Sequence, residues 1–274
     1  MRFSIIVVCL NPGKKLSRTM DSILSQTCQD FEVIVKDGGS RDGSVEDLKK
    51  KAGISENERI RFYEEKDSGI YDAMNQAVSH AQSEFILFMN CGDVFFDREV
   101  LEKTAQYIEA EEAKNAGSIL DNLILYGNTY SEKNKVIIAS PPRITGFTCY
   151  RNIPCHQSCV YAARLCREKP YDLQYKIRAD YDHFLWCYYR AGAKVTAMNL
   201  TVASYEGGGF SENKENGERD KREHKLITET YMKKGEIFRY KLMLWCTLAP
   251  LRKWLAESPV FSGMYHRIKE KIYR

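Results

Sequence analysis

The chain has 274 residues, 43% of them apolar, enough for one large α/β domain with an appendage or for two small domains. Its formal charge of +4 is unevenly placed: residues 233–274 hold ten Lys/Arg against three Asp/Glu, leaving 31 against 34 elsewhere, so the body is near −3 and the tail near +7. Nine scattered cysteines exclude a disulfide framework, and without a Cys-x-x-Cys pair (Cys155 and Cys159 are the nearest) they exclude a four-cysteine zinc site; they read as buried free thiols of a reducing compartment.

The apolar run of residues 3–10 breaks at Asn11-Pro12-Gly13-Lys14-Lys15 with no small-residue cleavage site behind it, and so reads as a first strand and not a signal peptide. Leu16, Met20, Ile23 and Leu24 recur at helical spacing before a second β-branched run at residues 31–37, completing a β-α-β unit. The pattern continues with a helix after Gly43, a strand near residues 60–63, a helix over about 69–81, a strand at 85–89 and a helix at about 97–113. Alternation of this kind predicts a parallel sheet flanked by helices, with ligands at the carboxyl ends of the strands. Farther on, strands are expected at 123–130, 134–139, 158–162 and 194–199 and a helix over about 179–190, extending the same sheet into a second lobe. Regular structure ends at Gly207-Gly208-Gly209, before a charged helical tail. The longest late apolar stretch, residues 242–251, is far short of the roughly 20 residues that cross a bilayer.

Polar or glycine-rich segments fall where the first strands end. Asp37-Gly38-Gly39-Ser40-Arg41-Asp42-Gly43-Ser44 places a carboxylate at a sharp turn, where it can accept hydrogen bonds from a nucleoside, although Asp37 and Asp42 alone read equally as turn and cap residues. Asp67-Ser68-Gly69-Ile70-Tyr71-Asp72-Ala73-Met74-Asn75 opens a helix, and Asn90-Cys91-Gly92-Asp93 follows a strand. A carboxylate at such an edge suits a hard divalent cation that also grips phosphate, or, taken alone, a helix cap. Asp180 opens an apolar helix, where it can serve as a base or merely complement the helix dipole; Asp182, two residues on, faces elsewhere. No Gly-x-Gly-x-x-Gly follows the first strand and no Gly-x-x-x-x-Gly-Lys-Ser/Thr occurs, which removes the dinucleotide and P-loop readings.

Residues 3–11, 37–44, 67–75, 90–93 and Ala179-Asp180-Tyr181-Asp182, in this order, resemble the family 2 glycosyltransferases of the GT-A fold, especially the bacterial polysaccharide-assembly branch, over about residues 1–210. The resemblance implies an α/β fold class, a GT-A-type Rossmann-like mostly parallel sheet flanked by helices, with a C-terminal helical extension. It implies a domain over 1–215, with a nucleotide-sugar-binding half at 1–115 and an acceptor half at 116–215, followed by a basic amphipathic tail at 216–274. By the same carry-over, Cys9, Leu10 and Asn11 line the base pocket, Asp37 contacts the nucleoside, and Lys66, Asp67, Gly69, Asn75 and Asn90 lie near the uridine and diphosphate. Asp93 matches the last aspartate of the Asp-x-Asp metal motif, for Mn2+ or Mg2+, and Asp180 the acceptor-side catalytic aspartate. One departure matters: the first acidic position is Asn90 or Gly92, as in a related branch with Asn-x-Gly-Asp, leaving Asp93 as the metal carboxylate.

The activity so implied is inverting transfer of a sugar from a nucleotide diphosphate donor, a UDP-sugar, to a saccharide or lipid-linked saccharide in cell-surface polysaccharide biosynthesis. His156 and Gln157 stand where such enzymes approach the donor sugar or acceptor, against the ordinary reading of a hydrogen-bonded structural histidine. Glu206-Gly207-Gly208-Gly209-Phe210-Ser211 reads as a flap or a plain linker. In the tail, Met264, Tyr265, Ile268 and Ile272 form one helical stripe that suits an anionic bilayer as a peripheral contact of 236–274, or else packs on the body or on a second subunit in a homodimer. Nucleic acid is excluded by the terminal position of the basic cluster and the lack of a binding motif. Localisation is expected to be cytoplasmic, with the inner face of the cell membrane as the surface met by a lipid-binding tail. Two competing readings are a non-catalytic sugar-nucleotide-binding assembly subunit, which the weakened metal motif permits and the pair Asp93 and Asp180 opposes, and a nucleotidyltransferase, whose basic phosphate loop Asn11-Pro12-Gly13-Lys14-Lys15 only faintly approaches.

Overall fold

The computed structural model describes residues 1–51, 53–54, 56–114, 121–207 and 216–246, with 258, 261, 263–264 and 267. The chain opens with β1 (Phe3–Cys9), α1 (Lys14–Leu24), β2 (Phe31–Asp37), α2 (Ser44–Lys50), β3 (Ile60–Glu64), α3 (Ile70–His80) and β4 (Phe85–Phe88). The apolar spacing read from the sequence is what buries these elements. Leu16, Met20 and Ile23 line the inner face of α1, Ala73, Met74, Ala77 and Val78 that of α3, and β1, β2 and β4 are buried along their whole length.

After β4 come β5 (Val94–Phe95), α4 (Val100–Lys114), β6 (Leu123–Ser131), β7 (Val136–Ile138), α5 (Gly146–Arg151), a single 3-10 turn at His156–Ser158, β8 (Cys159–Ala162), α6 (Ala163–Glu168), α7 (Ala179–Tyr189), β9 (Lys194–Tyr205), α8 (Gly217–Tyr231) and α9 (Lys234–Cys246). One nine-stranded sheet runs β3-β2-β1-β4-β8-β6-β9-β5, with β7 paired to β6 at the side. The strands from β3 to β4 are mutually parallel, β8 runs against both β4 and β6, and β9 is parallel to β6. The expected extension of the sheet into the second half is therefore present.

Two features of this topology build the cleft. The carboxyl ends of β1, β2, β3 and β4 lie side by side, so residues 9–11, 37–40, 65–67 and 90–93 share one edge. The two-residue β5 follows Asp93 directly and pairs antiparallel with the end of β9, at Ser204 and Ala203, which carries Tyr205 and Glu206 to that same edge. Gly127 lies at an irregularity of the β6 and β9 register, and there a Cβ would collide with the Leu200 carbonyl, so only glycine lets the strands approach this closely.

Candidate active site

Asp37, at the end of β2, is buried, and its carboxylate accepts from the Ser40 backbone N–H at 3.0 Å and the Ser40 hydroxyl at 2.6 Å. That closes the turn after the strand. The Cys9 thiol donates to the same carboxylate at 3.8 Å, while Leu10 is 61% exposed, which leaves an apolar side chain facing outward at the mouth of this edge. Asn11 is a non-glycine residue with a φ of 48°, held there by its side-chain oxygen, which accepts from Arg41 N–H at 2.8 Å, and by its own N–H, which donates to Ser40 Oγ at 2.8 Å.

Lys36 was not singled out from the sequence. Its ammonium is fully buried and donates to the Glu65 carbonyl at 2.5 Å and the Asp37 carbonyl at 3.2 Å, and it pairs with Asp67 Oδ2 at 3.1 Å. Asp67 Oδ1 in turn accepts from Gly69 N–H at 3.1 Å. A Cβ on Gly38 would lie 2.7 Å from Asp67 Oδ2, so the glycine is what lets the Asp67 loop close against β2. Lys66 is exposed beside this cluster, and its carbonyl accepts from Gln76. Asn75 is turned elsewhere: both ends of its amide bond the backbone of Tyr171, each at 2.8 Å, fastening α3 to the segment that leads to α7.

Asp93 is buried at the start of β5. Its Oδ2 accepts from Gln157 Nε2 at 2.8 Å and its Oδ1 from Glu206 N–H at 3.2 Å. Burial pushes its carboxyl above the usual range, helped by the Glu206 charge, and this outweighs the two hydrogen bonds and the nearby imidazole of His156, which act the other way. The Glu206 carboxylate pairs with Lys15 at 2.6 Å across Gly92, where a Cβ would meet Glu206 Oε2 at 2.5 Å. The first residue of the glycine-rich segment is thus tied to Asp93, and residues 208–215 lie outside the described part.

A second group converges from three distant stretches. His156 Nε2 is 3.1 Å from Asn90 Nδ2, and His156 Nδ1 is 3.4 Å from Asp180 Oδ2. Asp180 Oδ1 accepts from Tyr181 N–H at 2.9 Å and lies 3.1 Å from the Tyr71 hydroxyl, which also reaches the Ile177 carbonyl at 2.7 Å. Burial, followed by the Asp180 charge, drives the Tyr71 phenol well above its usual range, so it stays a donor. For Asp180, burial works to raise the carboxyl, but the hydrogen bond and charge of His156, with Tyr71 and Tyr181 N–H, outweigh it and hold the group below the usual range. The Asp180 side chain remains 21% exposed, enough to be reached from a cleft of about 650 Å³ that His156, Gln157, Asp180, Tyr181 and Tyr205 help to line. Asp182 points away: it pairs with Lys169 at 3.2 Å and accepts from the Tyr231 hydroxyl at 2.9 Å.

Asn90, Asp93, His156, Gln157 and Asp180 therefore form one continuous network, with the Asp37 and Asp67 clusters along the same sheet edge. Tyr71, Lys36 and Glu206 join them; the sequence had given Tyr71 and Lys36 no role of their own and Glu206 only a place in the flap or linker segment. A lysine inside a strand buried along its whole length, one residue before Asp37, was the available signal for Lys36. Among the described residues no three His, Cys, Asp or Glu side chains gather into a metal cage. A Mg2+-type site that takes one carboxylate and completes its shell with substrate phosphate and water needs no such cage, and a buried carboxyl raised by burial is the chemistry such a cation relieves.

The sequence model of "Glycosyl transferase family 2" matches residues 4–165. A "PGL/p-HBAD biosynthesis glycosyltransferase" of Mycobacterium bovis is 32% identical over 211 residues, 76% of this chain and 78% of that protein. A "cholesterol galactosyltransferase" of Borreliella burgdorferi is 25% identical over 153 residues, 56% of this chain and 41% of that one. Among solved structures, S. aureus TarS 1-349 in complex with UDP superposes with a TM-score of 0.66 at 15% identity, covering 95% of this chain and 76% of that one. Mannosyltransferase PcManGT from Pyrobaculum calidifontis, in complex with GDP-Man and Mn2+, gives 0.61 at 15% identity, covering 99% and 80%. At such identities the structural likeness is one of fold, and the fold is GT-A. The sequence match spans more than half of the chain and agrees with it: the protein belongs to glycosyltransferase family 2 and is a glycosyltransferase enzyme.

Proposed function

We propose that the enzyme moves a sugar from a UDP-sugar to a hydroxyl of a saccharide or lipid-linked saccharide acceptor in a single inverting displacement. The observation that carries this is the ionised Asp180 carboxylate facing the cleft, fixed by His156 and Tyr71. In this reading the acceptor oxygen attacks the anomeric carbon, its proton passes to Asp180, and the bond to the diphosphate breaks with its electron pair leaving on the phosphate oxygen. The nucleophile belongs to the substrate, so no serine or cysteine of the enzyme is needed. Residues up to about 115 hold the donor through the Leu10, Asp37 and Asp67 edge, and residues 116–215 meet the acceptor. Asp93 is the carboxylate that would hold Mn2+ or Mg2+, whose positive charge offsets the charge gathering on the departing diphosphate. The solved TarS complex with UDP and the PcManGT complex with GDP-Man support a nucleotide-sugar donor, and the uridine choice is the one the thermal-shift comparison below decides.

Thermal shift with nucleoside diphosphates and Mn2+ tests the donor. UDP is expected to raise the melting temperature more than GDP or ADP, and a larger gain with GDP would sink the uridine assignment. At a hundred-fold excess over the dissociation constant the gain corresponds to about 2.7 kcal/mol.

Two observations favour a lipid-linked acceptor at a membrane. One relative is named for cholesterol galactosylation, and α9 presents an apolar face outward. Ile237, Tyr240 and Leu244 pack against the body, whereas Phe238, Leu242 and Trp245 share another stripe and are 70%, 50% and 73% exposed. The stripe read from the sequence at 264–272 lies almost wholly outside the described residues. With the excess of Lys/Arg in 233–274, the α9 face suits an anionic bilayer. No helix among the described residues is long and apolar enough to span a membrane, so contact would be peripheral. In flotation with phosphatidylglycerol-containing vesicles, wild-type protein should float and a triple Phe238→Ser, Leu242→Ser, Trp245→Ser variant should remain at the bottom; identical behaviour refutes this contact.

A further inference from the structure

We propose that Glu206 supplies a second carboxylate to the cation that Asp93 would hold, in place of the acidic residue that the Asp-x-Asp pattern would put at position 92; the inference rests on the metal role proposed for Asp93 above. Gly92 has a φ of 103°, a conformation that suits glycine. A Cβ there would lie 2.5 Å from Glu206 Oε2 and 3.5 Å from Glu206 Cδ. Standard bond lengths put the carboxylate oxygens of an aspartate ~2.4 Å from its own Cβ. The Glu206 oxygen therefore stands as far from position 92 as the oxygen of an aspartate at that position would. Two links bring it there. β5 pairs with β9 at Val94 with Ser204 and Phe95 with Ala203, and Glu206 N–H donates to Asp93 Oδ1 at 3.2 Å. The fold thus returns, from 113 residues away, the carboxylate that segment 90–93 lacks.

In the free protein the cation on this carboxylate is an ammonium. Lys15 Nζ lies 2.6 Å from Glu206 Oε2, and its Cδ would be 3.3 Å from a Cβ at Gly92. The two side chains are 54% and 36% exposed, so their bridge contributes little to stability and is easily exchanged. Glu206 can release Lys15 to water or to a donor phosphate and take a hard divalent ion, which prefers oxygen ligands, without leaving a buried charge unpaired.

Mn2+ binding by the full chain, read from the loss of the free-ion signal in electron paramagnetic resonance with and without UDP, requires no turnover. Wild type should bind Mn2+ with UDP present, and Glu206→Gln should bind it about tenfold more weakly. Lys15→Met, which frees the carboxylate, should bind Mn2+ alone about threefold more tightly than wild type. A bridge kept only for the fold predicts instead that the two variants change alike, since each breaks the same ion pair. Wild-type affinity in Glu206→Gln, or weaker binding of Mn2+ alone in both variants, would overturn the proposal. Asp93→Asn separates it from the reading on which it rests. If that variant binds Mn2+ as wild type does, or wild type binds none with UDP, the Asp93 site itself has failed; loss in Asp93→Asn with full affinity in Glu206→Gln removes Glu206 alone.

Discussion

Asp180→Asn should lose between about 10² and 10⁴ of kcat while binding the nucleotide-sugar donor as the wild type does. The amide keeps the volume of the carboxylate and can still accept from Tyr181 N–H and Tyr71, which hold Oδ1 at 2.9 and 3.1 Å. What it loses is the capacity to take a proton. The edge proposed to hold the donor, at Asp37, Asp67 and Asp93, makes no direct hydrogen bond to Asp180 in the structure, so affinity for UDP-sugar, measured by calorimetry, should be untouched. Equal loss of binding and turnover, or retained turnover, would reject the base. The same substitution has a stability signature. The folded Asp180 carboxyl lies below its unfolded value, near 3.8, so its ionisation stabilises the fold above that pH, and the contribution is lost as pH falls through the folded value. The wild type should therefore be more resistant to urea than Asp180→Asn at neutral pH, and the gap should narrow toward pH 3.

Why Asp180 and His156 could be nominated from the sequence, while Tyr71 and the contact of Glu206 with Asp93 could not, is a matter of distance along the chain. The strand ends at Cys9, Asp37 and Asn90 are local features: an apolar run stops, a glycine or polar residue turns the chain, and a parallel sheet puts all such ends on one edge. Tyr71 meets Asp180 across 109 residues, and Glu206 meets Asp93 across 113, contacts that only the closed sheet creates. β5 escaped notice because two residues carry no periodicity, yet its pairing with β9 is what brings Glu206 to the 90–93 segment. On α9, Ile237, Tyr240 and Leu244 against the body and Phe238, Leu242 and Trp245 outward make the helix apolar nearly all round, so no single face stood out. Asn75, placed by resemblance near the diphosphate, instead spends both ends of its amide on Tyr171, a pairing that composition and spacing do not encode.

Asp93→Asn should abolish the stabilisation that UDP and Mn2+ give together, yet leave the free protein melting at or above the wild-type temperature. Burial and the Glu206 charge raise the folded Asp93 carboxyl above its unfolded value near 3.8. Its ionisation therefore works against folding: the penalty is absent at low pH, grows as pH rises through that interval and is complete at neutrality. A neutral amide removes the penalty, and Gln157, which donates to Oδ2 at 2.8 Å, can turn its own amide over to accept from the new NH2 group. The wild type, by contrast, recovers the penalty when a cation and diphosphate arrive, which at a hundred-fold excess of ligand is worth about 2.7 kcal/mol and so several degrees in a chain of this size. Differential scanning calorimetry with UDP alone, Mn2+ alone and both separates the cases. A variant that keeps the joint gain, or a wild type indifferent to metal, would remove Asp93 from the metal site. A variant that melts well below wild type when free would instead mean that Asp93 is retained for the fold, because a carboxylate kept only for structure has no reason to carry an electrostatic cost that its own amide would relieve.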